Sequence, residues 1–158
     1  MIKKGVYAAT LSVLDKNSTL DVEETIAHAE NIINEGLHGV FFFGSTGQSQ
    51  LISMAEKKEL VSKLPFSKLK NNFFLGTGFN SLNDNLEFIK YSMEYEFNTF
   101  LIMPPAYYKG NTEDGVFEFY RQIIKSVPKI KIILYNFEKL SGFKFEPDFL
   151  KKLVSTYP

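Results

Sequence analysis

Val40-Phe41-Phe42-Phe43-Gly44-Ser45-Thr46-Gly47-Gln48 sets an unbroken apolar run against a turn of two glycines and two hydroxyls. Four apolar residues in succession suit a strand buried on both faces, as parallel sheets require; a half-exposed strand alternates instead. A little further on, Ser53 and Glu56 carry the spacing of a capping box, so a helix starts at Met54 and runs to about Lys63. The local unit is strand, tight turn, helix.

The unit recurs in both directions. Upstream, Gly5–Leu11 reads as a strand and 22–35 as a helix that Asp21 opens and Gly36 closes. Downstream come a strand at Asn72–Gly76 with a helix over 82–95, and a strand at Phe100–Met103 with a helix over 113–126. Ile130–Tyr135 is the fifth strand, and Pro147 suits the first turn of a last helix. Strict alternation makes a parallel α/β sheet. Two closures fit: an open doubly wound sheet, or an arc of a (β/α)8 barrel. Strand starts near 5, 38, 72, 98 and 130 give a unit of about 31 residues, and eight such units total about 250, the usual barrel length. On the barrel reading, residues 1–158 are a single N-terminal part with five units, and units six to eight are absent.

Composition narrows the function. Eighteen basic side chains balance eighteen acidic ones, which leaves no field for gripping nucleic acid or an anionic membrane. With no cysteine there is no disulfide framework and no thiolate nucleophile. No stretch approaches the length of a membrane span, and Met1–Gly5 lacks the apolar core of a leader, so a cytoplasmic location is expected. His28 and His38 share no ligand spacing with a carboxylate pair, so no metal centre is expected. Lys57-Lys58 and Lys151-Lys152 read as solvated helix faces.

Ligands of parallel α/β folds bind where strands end, so the five junctions hold the candidates. The first offers Thr10 and Ser12. In the second, glycines let the backbone approach a ligand, and the hydroxyls and amides of Gly44-Ser45-Thr46-Gly47 suit a carboxylate or phosphate; a plain tight turn would need the same glycines. Gly76-Thr77-Gly78 starts like a dinucleotide fingerprint, but the third glycine position holds Ser81. Pro104-Pro105 stiffens the loop that presents Tyr107 and Tyr108. Tyr135 ends the fifth strand in a phenol, which needs neighbouring donors to move a proton near neutral pH.

Four segments, in order, resemble the pyruvate-dependent class I aldolases, the family of dihydrodipicolinate synthase and N-acetylneuraminate lyase. They are Gly5-Val6-Tyr7-Ala8-Ala9-Thr10-Leu11, Gly44-Ser45-Thr46-Gly47, Pro105-Ala106-Tyr107-Tyr108, and Leu134-Tyr135-Asn136 with Ser141-Gly142. The likeness covers essentially the whole chain. It implies a (β/α)8 barrel whose reactive lysine forms a Schiff base with pyruvate or another 2-oxo acid, with an aldehyde or sugar acid as the other partner. It rests the carboxylate on Gly44, Ser45, Thr46 and Gly47. It makes Tyr135 a proton shuttle, linked through Thr46 to a Tyr107 lent across a tight dimer interface. Homodimers or homotetramers are implied, and no metal or organic cofactor, since the lysine is itself the electron sink.

Three positions depart from the family pattern: Gln48 replaces a glutamate, Glu138 a proline, and Leu140 the carboxylate-binding arginine of dihydrodipicolinate synthases. Lys139-Leu140-Ser141-Gly142 is closer to N-acetylneuraminate lyases and sugar-acid aldolases. The family's Schiff-base lysine is expected on a sixth strand, shortly beyond Pro158, so the chain alone is expected to be inactive. The alternatives are a non-catalytic half barrel working with a partner chain, and an open α/β domain binding a nucleotide at Gly76-Thr77-Gly78.

Overall fold

The computed structural model describes residues 2–158. Its five strands are β1 (Tyr7–Ala9), β2 (Gly39–Phe42), β3 (Phe73–Gly76), β4 (Thr99–Ile102) and β5 (Lys131–Leu134). They lie in the order β1-β2-β3-β4-β5, and every pairing is parallel. A doubly wound nucleotide fold reverses its strand order at a switch point, and this sheet never reverses. The doubly wound closure is therefore corrected: each strand simply joins the next, as around a barrel.

Successive helices α1 (Val22–Asn34), α2 (Met54–Lys63), α3 (Leu82–Glu94) and α4 (Glu113–Ser126) pack side by side against one face of the sheet. Each begins as its sequence dictates. Asp21, Ser81 and Thr112 accept from the third residue onward, and the Ser53–Glu56 box closes in both directions. Gly36, at φ +104°, takes the left-handed turn after α1. A short helix α5 (Glu138–Ser141), absent from the sequence reading, precedes α6 (Pro147–Thr156), and Pro147 stands in the first turn of α6.

The two faces of the sheet differ. Val40, Phe42, Phe73, Leu75, Phe100 and Ile102 are buried against the helices. Registered one residue away, Tyr7, Phe41 and Phe74 form the inner face, where Phe41 stacks on Phe74 at 5.1 Å between ring centres and Tyr7 meets Phe74 edge-on at 5.6 Å. The inner face is only half-buried. β1 is also shorter than Gly5–Leu11, since only Tyr7–Ala9 pairs with β2.

Candidate active site

The carboxyl ends of the strands are built around the turn after β2. By alternation Phe43 belongs on the inner face, but its φ of +60° turns it back, and its ring packs on Phe88 of α3 at 6.0 Å. A bulky residue in the left-handed region costs about 1–2 kcal/mol, which burial of the ring at Phe88 helps to offset. The reversal lifts Gly44-Ser45-Thr46-Gly47 out of the sheet, and Gln48, at φ +50°, ends the turn. The first junction props it: Ser12 Oγ donates to the Gly47 carbonyl at 2.6 Å, and a Cβ on Gly47 would lie 2.8 Å from the Thr10 carbonyl oxygen. The amides of Ser45, Thr46 and Gly47 have no acceptor among the described residues. Three consecutive N–H groups without a protein acceptor are available to an anionic oxygen.

Beside the turn, Ser45 Oγ and Tyr135 Oη share a hydrogen bond of 2.7 Å. Tyr135 arrives there because β5 pairs with β4 to the last residue, and its own amide donates to the Ile102 carbonyl at 3.0 Å. Both hydroxyls border a cavity of about 230 Å³, whose other walls include Leu101, Met103, Leu140 and Ser49. Thr46 is exposed, and its side chain makes no hydrogen bond among the described residues. The expected link from Tyr135 through Thr46 is thus corrected to Ser45, because the reversal at Phe43 brings the first hydroxyl of the pair to the phenol.

Tyr107 is not brought to this pair within one chain. It is 76% exposed and meets the equally exposed Tyr108 edge-on at 5.0 Å. Its loop is fixed by two residues that the sequence reading missed. Asn80 Oδ1 accepts from the amides of Ala106 at 2.6 Å and Tyr107 at 3.0 Å, Asn80 Nδ2 donates to Gln50 Oε1 at 3.0 Å, and Gln50 donates to the Gly78 carbonyl. These amides tie the second, third and fourth junctions together.

Lys57 is a second correction. It does not lie on a solvated face; it is fully buried, with Nζ donating to Ser49 Oγ and to the Thr77 carbonyl, each at 2.9 Å. Burial without a counter-charge pulls its pKa down to about 7. The signal was in the helical period: Lys57 shares one stripe with Leu60, Val61 and Leu64, all fully buried. No helix among the described residues is long and apolar enough to cross a membrane, and no cluster of three metal-ligating side chains occurs among them.

Five successive βα units in a parallel sheet of unreversed order are those of the (β/α)8 barrel, with the hydroxyl pair and free amides at its ligand-binding end. The model of the Dihydrodipicolinate synthetase family matches residues 3–158, and the chain belongs to that family. It is 29% identical over 155 residues to the 4-hydroxy-tetrahydrodipicolinate synthase of Methanococcus maripaludis, an alignment covering 98% of this chain and 53% of that protein. Among solved structures, dihydrodipicolinate synthase from Agrobacterium tumefaciens superposes with a TM-score of 0.91 at 22% identity, covering 99% of this chain and 55% of that one. YagE, a prophage protein of the same family from E. coli K12 solved in complex with pyruvate, superposes with a TM-score of 0.85 at 22% identity, covering 99% and 52%. The chain spans about half the length of the relatives it matches.

Proposed function

We propose that this chain forms the oxo-acid half of a class I aldolase site, which takes pyruvate or another 2-oxo acid through a lysine Schiff base and makes or breaks a carbon–carbon bond to an aldehyde or sugar acid. The observation that carries this reading is the 2.7 Å hydrogen bond between Tyr135 and Ser45 beside three free amides. The amides of Ser45, Thr46 and Gly47 receive the carboxylate and so fix the adjacent carbonyl. A lysine amine adds to that carbonyl carbon, and the resulting carbinolamine loses water to give the imine. Two protons in all must pass from the nitrogen to the oxygen that leaves as water, one as the carbinolamine forms and one as it dehydrates. Tyr135 relays both, and Ser45 holds its hydroxyl in place.

No lysine lines the cavity among the described residues, and Lys57 is committed to Ser49 and Thr77. In this reading residues 1–158 are one part of the barrel, and a further unit carries the nucleophile. Tyr107 belongs to the site of a second copy in a homodimer or homotetramer; the exposed Tyr107–Tyr108 pair supports this. Leu140 in the cavity wall supplies no cation for a carboxylate there, which favours the partner of a sugar-acid aldolase over that of a dihydrodipicolinate synthase.

The test is borohydride reduction of the intact protein with pyruvate, followed by peptide mapping. The reading expects one pyruvyl adduct on a lysine outside residues 1–158 and none within them. An adduct on Lys57 or another lysine of this chain, or no adduct anywhere, contradicts it.

A further inference from the structure

Lys57 carries no role in the mechanism above, yet it sits directly behind the cavity. Its Nζ bridges the turn after β2, through Ser49, to the loop after β3, through Thr77, and lies 3.8 Å from the centre of the Phe79 ring and 5.5 Å from that of Phe43. No carboxylate pairs with it among the described residues. The turn from Phe43 to Ile52 and the loop from Thr77 to Ser81 contain no titratable side chain. On α2 itself, Glu56 is bound to the Leu20 amide and to Ser53, Lys58 is paired with Glu87 of α3, and Glu59 is exposed. On α3 Asp84 is exposed, and on α1 Glu30 is bound to Ser67. Across the cavity, Tyr135 is bound to Ser45.

Ser49 therefore faces an isolated amine on one side. Ser49 lines the cavity together with Gly78, whose lack of a side chain admits the Ser49 hydroxyl oxygen. That hydroxyl accepts from Lys57 and has no acceptor of its own among the described residues. An ammonium has three donors and no lone pair, so beside it Ser49 can only accept, and its own proton is left for a ligand. A neutral amine has a lone pair and can take the Ser49 proton instead.

We propose that Ser49 is an oxygen-binding point of the cavity for a carboxylate ligand, and that Lys57 is the positioning residue that directs the Ser49 proton toward that oxygen. This rests on the reading that a 2-oxo acid occupies the cavity. An anion at Ser49 favours the ammonium form, so binding and protonation of Lys57 promote one another. The low pKa of Lys57 places this exchange near neutral pH.

The experiment follows the Cε resonance of Lys57 in the intact protein, with ¹³C-labelled lysine, against pH, without and with saturating pyruvate. Lys57→Met identifies the resonance. Pyruvate should raise the titration midpoint by about one pH unit, equivalent to roughly tenfold tighter binding to the ammonium form. Ser49→Ala should abolish that displacement and flatten the pH dependence of pyruvate affinity between pH 6 and 9. A midpoint that pyruvate leaves unmoved, while the amides of Ser45, Thr46 and Gly47 respond, overturns this inference and leaves the proposed function standing. The same displacement in Ser49→Ala as in the wild type also overturns it. No response at either place overturns both.

Discussion

Tyr135→Phe should lower turnover of the intact protein by roughly 10²- to 10³-fold while pyruvate still binds. The substitution removes one oxygen and keeps the ring, which packs edge-on to Phe137 at 6.2 Å. The backbone bond from Tyr135 to Ile102 is untouched, so β5 keeps its register. What is lost is the hydroxyl that Ser45 holds at 2.7 Å. Carboxylate binding is assigned to the amides of the turn and to Ser49, not to Tyr135, so affinity for pyruvate should change little. Single-turnover imine formation, read by borohydride trapping, separates the two effects. Near-normal turnover would remove Tyr135 from the mechanism, and lost pyruvate binding would place it in recognition instead.

Gly78→Ala should cost about 3 kcal/mol of stability and lower the melting temperature by about 10 °C. Two effects add. Gly78 has a φ of +66°, and a Cβ in the left-handed region costs about 1 kcal/mol. That Cβ would also stand 1.6 Å from Ser49 Oγ and 3.3 Å from Lys57 Nζ. Ser49 must move, and the buried Lys57 amine loses a partner, at a cost of about 1–3 kcal/mol. Gly110→Ala is the control: its φ is +81° with nothing within 4 Å of the added Cβ, so it carries the backbone cost alone. Equal melting temperatures for the two variants would contradict the packing argument.

The starts of the long helices were legible in the sequence, whereas the bounds of β1 and the short α5 were not. The Ser53–Glu56 box and the bounds of α4 are where their residues place them, because caps and amphipathic periods act over a few residues. The barrel order was legible only as one of two closures, since local pattern does not say which strand lies beside which. Thr46 and Ser45 were told apart only by the structure. Which of two adjacent hydroxyls meets Tyr135 depends on the left-handed conformation of Phe43, which a bulky aromatic residue gives no reason to expect. Lys57 differs from its residue type for another reason: a lysine points to solvent, but its helical period places it in the stripe of Leu60, Val61 and Leu64. Gln50 and Asn80 left no local signal, because their partners lie on other loops.

In the proposed function the turn from Gly44 to Gly47 receives the carboxylate of a 2-oxo acid. An amide-resolved NMR titration of the ¹⁵N-labelled protein with pyruvate is the test. The amides of Ser45, Thr46 and Gly47 should shift and saturate together, with that of Tyr135 responding beside them. Saturable shifts centred on Thr77 and Gly78 instead, with the turn silent, would contradict it.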